Sequence, residues 1–126
     1  MSGTHPLVRI ETALLIAVGG FAGSNLRYAA EQAAPSSFAA TLVVNVLGSF
    51  ALAVLLYEAI HLGVLSVQTS TVFGTGFLSS FTTYSTFALQ TFTVPEYAVG
   101  YVAASYLLGF AAVCAGRSLV RRLGGS

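Results

Sequence analysis

The stretch GTGFLSSFTTYSTF, residues 74–87, lies inside a long apolar run and carries seven hydroxyl side chains in the eight residues 79–86. Serine and threonine hydroxyls compete with the helical ladder for backbone groups, and Gly74 and Gly76 weaken that ladder further. A helix is therefore expected to be interrupted here. An interruption frees backbone carbonyls and amides, and in a bilayer these are tolerated only when buried in protein or facing a water-filled cavity or an ion. The same stretch on a polar surface would be an ordinary loop, so its surroundings decide the matter.

Those surroundings are apolar. The 126 residues are 56% hydrophobic and 7% charged, with a mean hydropathy of +0.83, whereas a soluble domain carries about a quarter charged residues. Four windows of roughly 20 residues or more, the length that crosses about 30 Å of hydrocarbon, use nearly the whole chain: 11–30, 37–60, 64–91 and 97–120. The expected fold is all-α, a single membrane domain over 1–126 with four transmembrane helices, the third broken. Short connections near 31–36, 61–63 and 92–96 make neighbouring helices antiparallel. Arg9 and the apolar run after it, with small residues at 22–24, also fit a secretory signal. Removal of that signal would leave a membrane protein lacking one helix. Lone Cys114 excludes an internal disulfide. A net charge of +1 offers nucleic acid no electrostatic footprint.

The 64–91 window is longer than a bilayer needs, about 42 Å as a helix. Tilt absorbs length but does not explain a centre of glycines and hydroxyls. The other windows carry polar residues at helical spacing. Ser37, Thr41, Asn45 and Ser49 share one face of the second, and Tyr101, Ser105 and Gly109 form an i, i+4, i+8 row in the fourth. In the third, Tyr84 and Phe87 lie three apart. Alone, Asn45 fits an interhelical hydrogen bond, the fourth-window row fits small-residue packing, and the Tyr84–Phe87 pair fits a core. Together, three helices present donors or aromatic edges within the span, and no carboxylate lies among them. Hydroxyl and amide hydrogens with the electropositive rims of rings suit a small dehydrated anion, whereas cation paths use carboxylates or carbonyls. Glu11, Glu31, Glu58, Glu96 and Arg117 lie near window ends. Arg27, one turn inside the first window, is either an interfacial anchor or the wall of a wet vestibule that concentrates anions.

These residues resemble the fluoride channels of the CrcB/Fluc family. GGFAGSNLRY (19–28) is similar to the family's first-helix pattern, and TLVVNVLGSF (41–50) to its Thr-x-x-x-Asn-x-x-Gly segment. GFLSSFTTYSTF (76–87) is similar to its hallmark Gly-Phe-x-Gly-Gly-x-Thr-Thr-Phe-Ser-Thr-Phe. The resemblance implies passive export of fluoride from the cytoplasm by an antiparallel, dual-topology-type dimer in the cell membrane. It implies that Asn45 donates to fluoride, that Thr41, Ser85, Thr86, Tyr101 and Ser105 line polar tracks, and that Tyr84 and Phe87 offer ring edges. It also implies a structural Na+ held by the backbone carbonyls of Ser79 and Thr82. The sequence departs from the family pattern at Ser79–Ser80 for Gly-Gly, Tyr84 for phenylalanine and Gln90 for glutamate.

With four crossings both termini share one side, carrying Arg9, Arg117, Arg121 and Arg122 against Arg27 on the other. Arginine-rich segments stay cytoplasmic. The bias therefore points to a fixed orientation with both termini inside, hence a heterodimer with an oppositely oriented relative rather than a homodimer inserted both ways. Two other functions compete. A proton-coupled small multidrug-type antiporter needs a titratable carboxylate deep in a helix, usually near tryptophan; the chain has no tryptophan, and Glu11 is at a window edge. A non-conducting partner subunit of a paired channel would tolerate the serine substitutions. No base–nucleophile or metal-ligand spacing suggests an enzyme.

Overall fold

A computed structural model of the protein describes residues 5–124. Its long helices are α1 (Pro6–Ala33), α2 (Ser37–His61) and α6 (Pro95–Leu123). The third span is divided into α3 (Val67–Thr71), a π-helical stretch (Val72–Leu78), α4 (Ser79–Phe81) and, after an extended dipeptide, α5 (Tyr84–Thr93). Among the described residues three helices are long and apolar enough to cross a membrane: α1, α2 and α6. The third span is absent from that set because neither of its halves is long enough alone.

Local chemistry sets the helix boundaries. Pro6 opens α1, where its missing N–H costs nothing, and His5 Nδ1 accepts from Leu7 N–H at 3.1 Å. Pro35 disfavours helix in the residue before it, and Ala34 is extended. Ser36, Ser66 and Thr83 are N-caps whose hydroxyls accept backbone N–H groups of α2, α3 and α5. Gly63, at φ 64°, makes the left-handed turn that ends α2. Glu58 holds this turn twice. Its carbonyl accepts from Leu62 and Gly63 N–H, and its carboxylate Oε2 accepts from Val64 N–H at 2.5 Å and Leu65 N–H at 2.8 Å.

Two close packings organise the bundle. A Cβ on Gly116 of α6 would meet the Phe50 carbonyl at 2.8 Å, so α2 and α6 touch through backbone. A Cβ on Gly23 of α1 would collide with the Phe77 carbonyl, so α1 lies against the π-helical stretch. Buried side chains lie on both sides of α2, with Ala40, Thr41 and Val44 on one face and Ala53 nearly opposite, against Gly116 of α6. The outer faces of α1 and α6 stay apolar and exposed, as lipid-facing helices require.

Contacts gather the chain into two ends. Gln68 Nε2 donates to Glu11 Oε1 at 2.8 Å, and the Arg117 guanidinium lies 5.9 Å from the centre of the Tyr57 ring. The start of α1, the α2–α3 turn and the end of α6 thus share one end. The opposite end holds Phe38 and Tyr97, ring centroids 6.4 Å apart.

Candidate functional site

The interruption falls at Thr82–Thr83, both extended (φ −86°, ψ 165° and φ −152°, ψ 120°). It comes after the glycines, not at them: Gly74 and Gly76 belong to the π-helical stretch. Two side chains from distant helices meet the interruption. Asn45 Nδ2 donates to the Thr83 carbonyl at 2.9 Å, and Asn45 Oδ1 accepts from Thr83 N–H at 2.8 Å. One carboxamide therefore pairs both backbone groups of Thr83, as a neighbouring strand would. Buried backbone groups left unpaired cost about 1–3 kcal/mol each, so this clamp makes the interruption affordable. A carboxamide has two N–H donors, and the second remains for another acceptor. Arg27 Nη1 lies 3.5 Å from the Thr82 carbonyl. That is long for a hydrogen bond, and the contact is chiefly the attraction of a cation to a carbonyl dipole.

Grooves lie on either side of the interruption and share Asn45, Ser49 and Tyr84. The first, about 360 Å³, continues past Gly74, Ser79 and Thr82. The second, about 300 Å³, runs between α2, α5 and α6 past Phe87, Ser105 and Gly109. No charged residue lines either groove. Asn45, Tyr84, Phe87 and Ser105 thus converge, although they come from three helices.

Thr41 and Tyr101 lie elsewhere, in a buried cluster next to the second groove. The Tyr101 hydroxyl donates to Gln90 Oε1 at 2.6 Å, and the Thr41 side chain is within hydrogen-bonding reach of Tyr101. Phe87 joins cluster and groove, its ring 5.2 Å from that of Tyr101. Phe38 meets Tyr101 edge-on at 5.0 Å. Ser85 and Thr86 occupy the first turn of α5 and line neither groove. Ser85 Oγ is 3.3 Å from Thr83 Oγ1, and Thr86 N–H donates to that same oxygen at 3.2 Å.

Ser79 and Thr82 both line the first groove. The Ser79 hydroxyl donates to the Thr75 carbonyl and the Thr82 hydroxyl to the Leu78 carbonyl at 2.9 Å. The end of α4 leaves carbonyls without helical partners. Thr83 N–H, which a continuing helix would give to Ser79, goes to Asn45 instead. Ser49, common to both grooves, and Gln90, the buried acceptor of Tyr101, are noted in the sequence but not assigned there to the fluoride path. The four-residue step from Asn45 to Ser49 is the signal for the first. For Gln90 the signal is its replacement of the family's glutamate, one turn beyond Phe87.

Helices of membrane length around a divided span, with uncharged grooves beside the division that carry a few hydroxyl and amide groups, define a small multi-pass membrane protein. The chain belongs to the CrcB-like protein, Camphor Resistance (CrcB) family, whose profile matches residues 14–117. It is 54% identical over 125 residues to fluoride-specific ion channel FluC 1 of Haloarcula marismortui, covering 99% of this chain and 98% of that protein. It is 49% identical over 107 residues to fluoride-specific ion channel FluC 2 of Halobacterium salinarum, covering 83% of each. Fluoride-specific ion channel FluC 2 of Methanosarcina barkeri is 38% identical over 126 residues, covering 99% of this chain and 98% of its own length.

Proposed function

We propose that the chain conducts fluoride passively across the cell membrane, exporting it from the cytoplasm and reducing its toxicity. It acts as a channel and not as an enzyme. The observation that carries this is the uncharged groove between α2, α5 and α6, where Asn45, Ser49, Ser105 and the rings of Tyr84 and Phe87 face a common space. The second N–H of Asn45 and the hydroxyls of Ser49 and Ser105 are neutral donors. The rim of Phe87 adds a weak positive edge. A carboxylate there would repel a halide, and none is present. The buried carboxylate, Glu58, is spent at the bundle's end on Val64 and Leu65 N–H. That location speaks against proton-coupled exchange, which needs such a group within the span.

A pore needs walls on all sides, and both grooves are open along one flank, where Tyr84 is 73% exposed. Hydroxyls and freed carbonyls facing hydrocarbon would be costly, so a second subunit, inserted the opposite way, covers that flank. Arg9, Arg117, Arg121 and Arg122 on one side favour termini in the cytoplasm and a related partner rather than a copy inserted both ways. Arg27 supplies positive charge beside the interruption, where it raises local anion concentration. The carbonyls of Ser79 and Thr82 would hold Na+. Hard oxygens at the end of α4 suit that ion, and bound Na+ would supply the charge that neutralises converging carbonyl dipoles. The Arg27 guanidinium near Thr82 O competes for one of these ligands. Sodium is thus expected to bind more weakly than in a site without that arginine.

Liposomes loaded with fluoride, with and without a proton gradient, test conduction. Passive efflux indifferent to the gradient is expected, and Phe87→Ile or Ser105→Ala should slow it. Efflux that follows the gradient would establish exchange. A chain silent alone and active with a co-expressed relative would support pairing. Equal accessibility of a terminal tag from both sides of intact cells would exclude the fixed orientation.

A further inference from the structure

A groove of about 360 Å³ lies between α1 and α3, away from the interruption, and none of its lining serves the proposed fluoride path. On α1 it is lined by Arg9, Thr12, Ala13 and Ile16, an i, i+3, i+4, i+7 stripe. Val67 and Thr71 face it from α3. Gln68 fastens the two walls through Glu11 Oε1 at 2.8 Å and Thr12 Oγ1 at 3.0 Å. That bond occupies the Glu11 carboxylate, and Arg9 has no carboxylate partner among the described residues.

The order of chemistry along the groove is directional. Arg9 stands in the first turns of α1, a helix whose 28 residues run to about 42 Å. That exceeds the hydrocarbon thickness of about 30 Å, so its first turns reach the headgroup layer. Hydroxyl and carboxamide groups follow at Thr12 and Gln68, and Ala13 and Ile16 lie deeper. A cation at the aqueous mouth, hydrogen-bonding groups below it and an apolar trough beneath match a phospholipid from headgroup to acyl chain. We propose that this groove binds an anionic phospholipid of the leaflet on the side of the termini, its phosphodiester paired with Arg9 between α1 and Val67 and the upper part of one chain lying along Ala13 and Ile16. Arg117 and Arg122 at the same end add positive potential that draws anionic headgroups to that surface. The bound lipid braces α1 against α3 and does not depend on what the bundle conducts.

The full chain in neutral detergent, supplemented with dioleoylphosphatidylglycerol, dioleoylphosphatidylcholine or inorganic phosphate, tests this by native mass spectrometry. One retained phosphatidylglycerol per chain is expected, with phosphatidylcholine lost and phosphate without competing effect. Arg9→Gln should lower retention about fivefold, the factor for one basic residue at a lipid surface. Ala13→Phe, at an exposed position of α1, should lower it by filling the trough; if that variant fails to assemble, Val67→Trp fills it from the opposite wall. Arg122→Gln, the same charge change outside the groove, should lower retention by much less than Arg9→Gln does, since it removes surface potential without touching the phosphodiester. Equal losses in Arg9→Gln and Arg122→Gln would mean a diffuse surface attraction and overturn the site. So would equal retention of phosphatidylcholine, displacement by phosphate, insensitivity to filling the trough, or retention that falls as protein concentration rises, which would place a second copy there.

Discussion

The two halves of the divided span are held by different means. The half at 67–81 is fixed by backbone: Gly23 and Gly19 of α1 come so close to the π-helical stretch that a Cβ at Gly23 would collide with the Phe77 carbonyl. The half at 84–93 is fixed by side chains. Phe87 packs on Tyr101 and on Tyr106, 6.4 Å away and nearly perpendicular, and Gln90 accepts from Tyr101. Backbone-to-backbone packing tolerates almost no change in volume. Side-chain packing leaves gaps, and the groove past Phe87, Ser105 and Gly109 is such a gap. A rigid first half can therefore hold the interruption while the second half supplies the walls of a path. Asn45, bonded to Thr83 between them, belongs to both.

That contrast can be broken most severely at Asn45. Asn45→Leu leaves the N–H and C=O of Thr83 unpaired, and at about 1–3 kcal/mol for each group the loss should reach about 2–6 kcal/mol. Thermal unfolding in detergent followed by circular dichroism measures it, and fluoride efflux should vanish with it. Gly23→Ala should follow, costing about 1–3 kcal/mol through overpacking. Gly109→Ala, whose added Cβ would find Ser49 Oγ at an ordinary 3.9 Å, should change the melting temperature little. A similar response at the two glycines would dissolve the distinction between the halves.

Smaller effects sharpen it. Tyr101→Phe removes the 2.6 Å bond to buried Gln90 and should cost about 1–2 kcal/mol while slowing fluoride flux, since Phe87 loses a fixed neighbour. Glu58→Ala should cost about as much in stability, because Val64 and Leu65 N–H lose their acceptor, yet leave flux per folded channel unchanged. Efflux normalised to reconstituted protein separates these two variants.

Much of this architecture was legible in the sequence, for physical reasons. Four apolar windows and two prolines fix the helices, because hydrophobic length and a missing N–H act locally. The hydroxyl run marks the interruption for the same reason. Its place at Thr82–Thr83 was not legible, because that depends on Asn45, 38 residues away. Gly76, read as a helix breaker, in fact serves close approach: it would strike the Ile16 carbonyl of α1 at 2.8 Å if it bore a Cβ, a contact that exists only once α1 has packed. A Cβ on Gly74, by contrast, would meet nothing nearer than 3.9 Å. Asn45, Tyr84, Phe87 and Ser105 were singled out from helical spacing and the family resemblance, and they line one groove, Tyr84 from its open flank at 73% exposure. Ser49 shares the polar face of Asn45 and Gln90 replaces the family's glutamate, yet neither was assigned to the site, since nothing in a single polar residue shows which neighbour it will meet.

The most direct test is halide efflux from liposomes loaded with equal fluoride and chloride, comparing the unaltered chain, reconstituted with its partner where one is needed, with Ser49→Ala. Ser49 lines both grooves and supports no bond that holds the fold, so the variant should assemble normally. Fluoride should leave and chloride remain with the unaltered chain, and Ser49→Ala should slow fluoride severalfold. Release of both halides alike, or fluoride efflux untouched by Ser49→Ala and Phe87→Ile together, would contradict a fluoride path through the grooves beside the Thr82–Thr83 interruption.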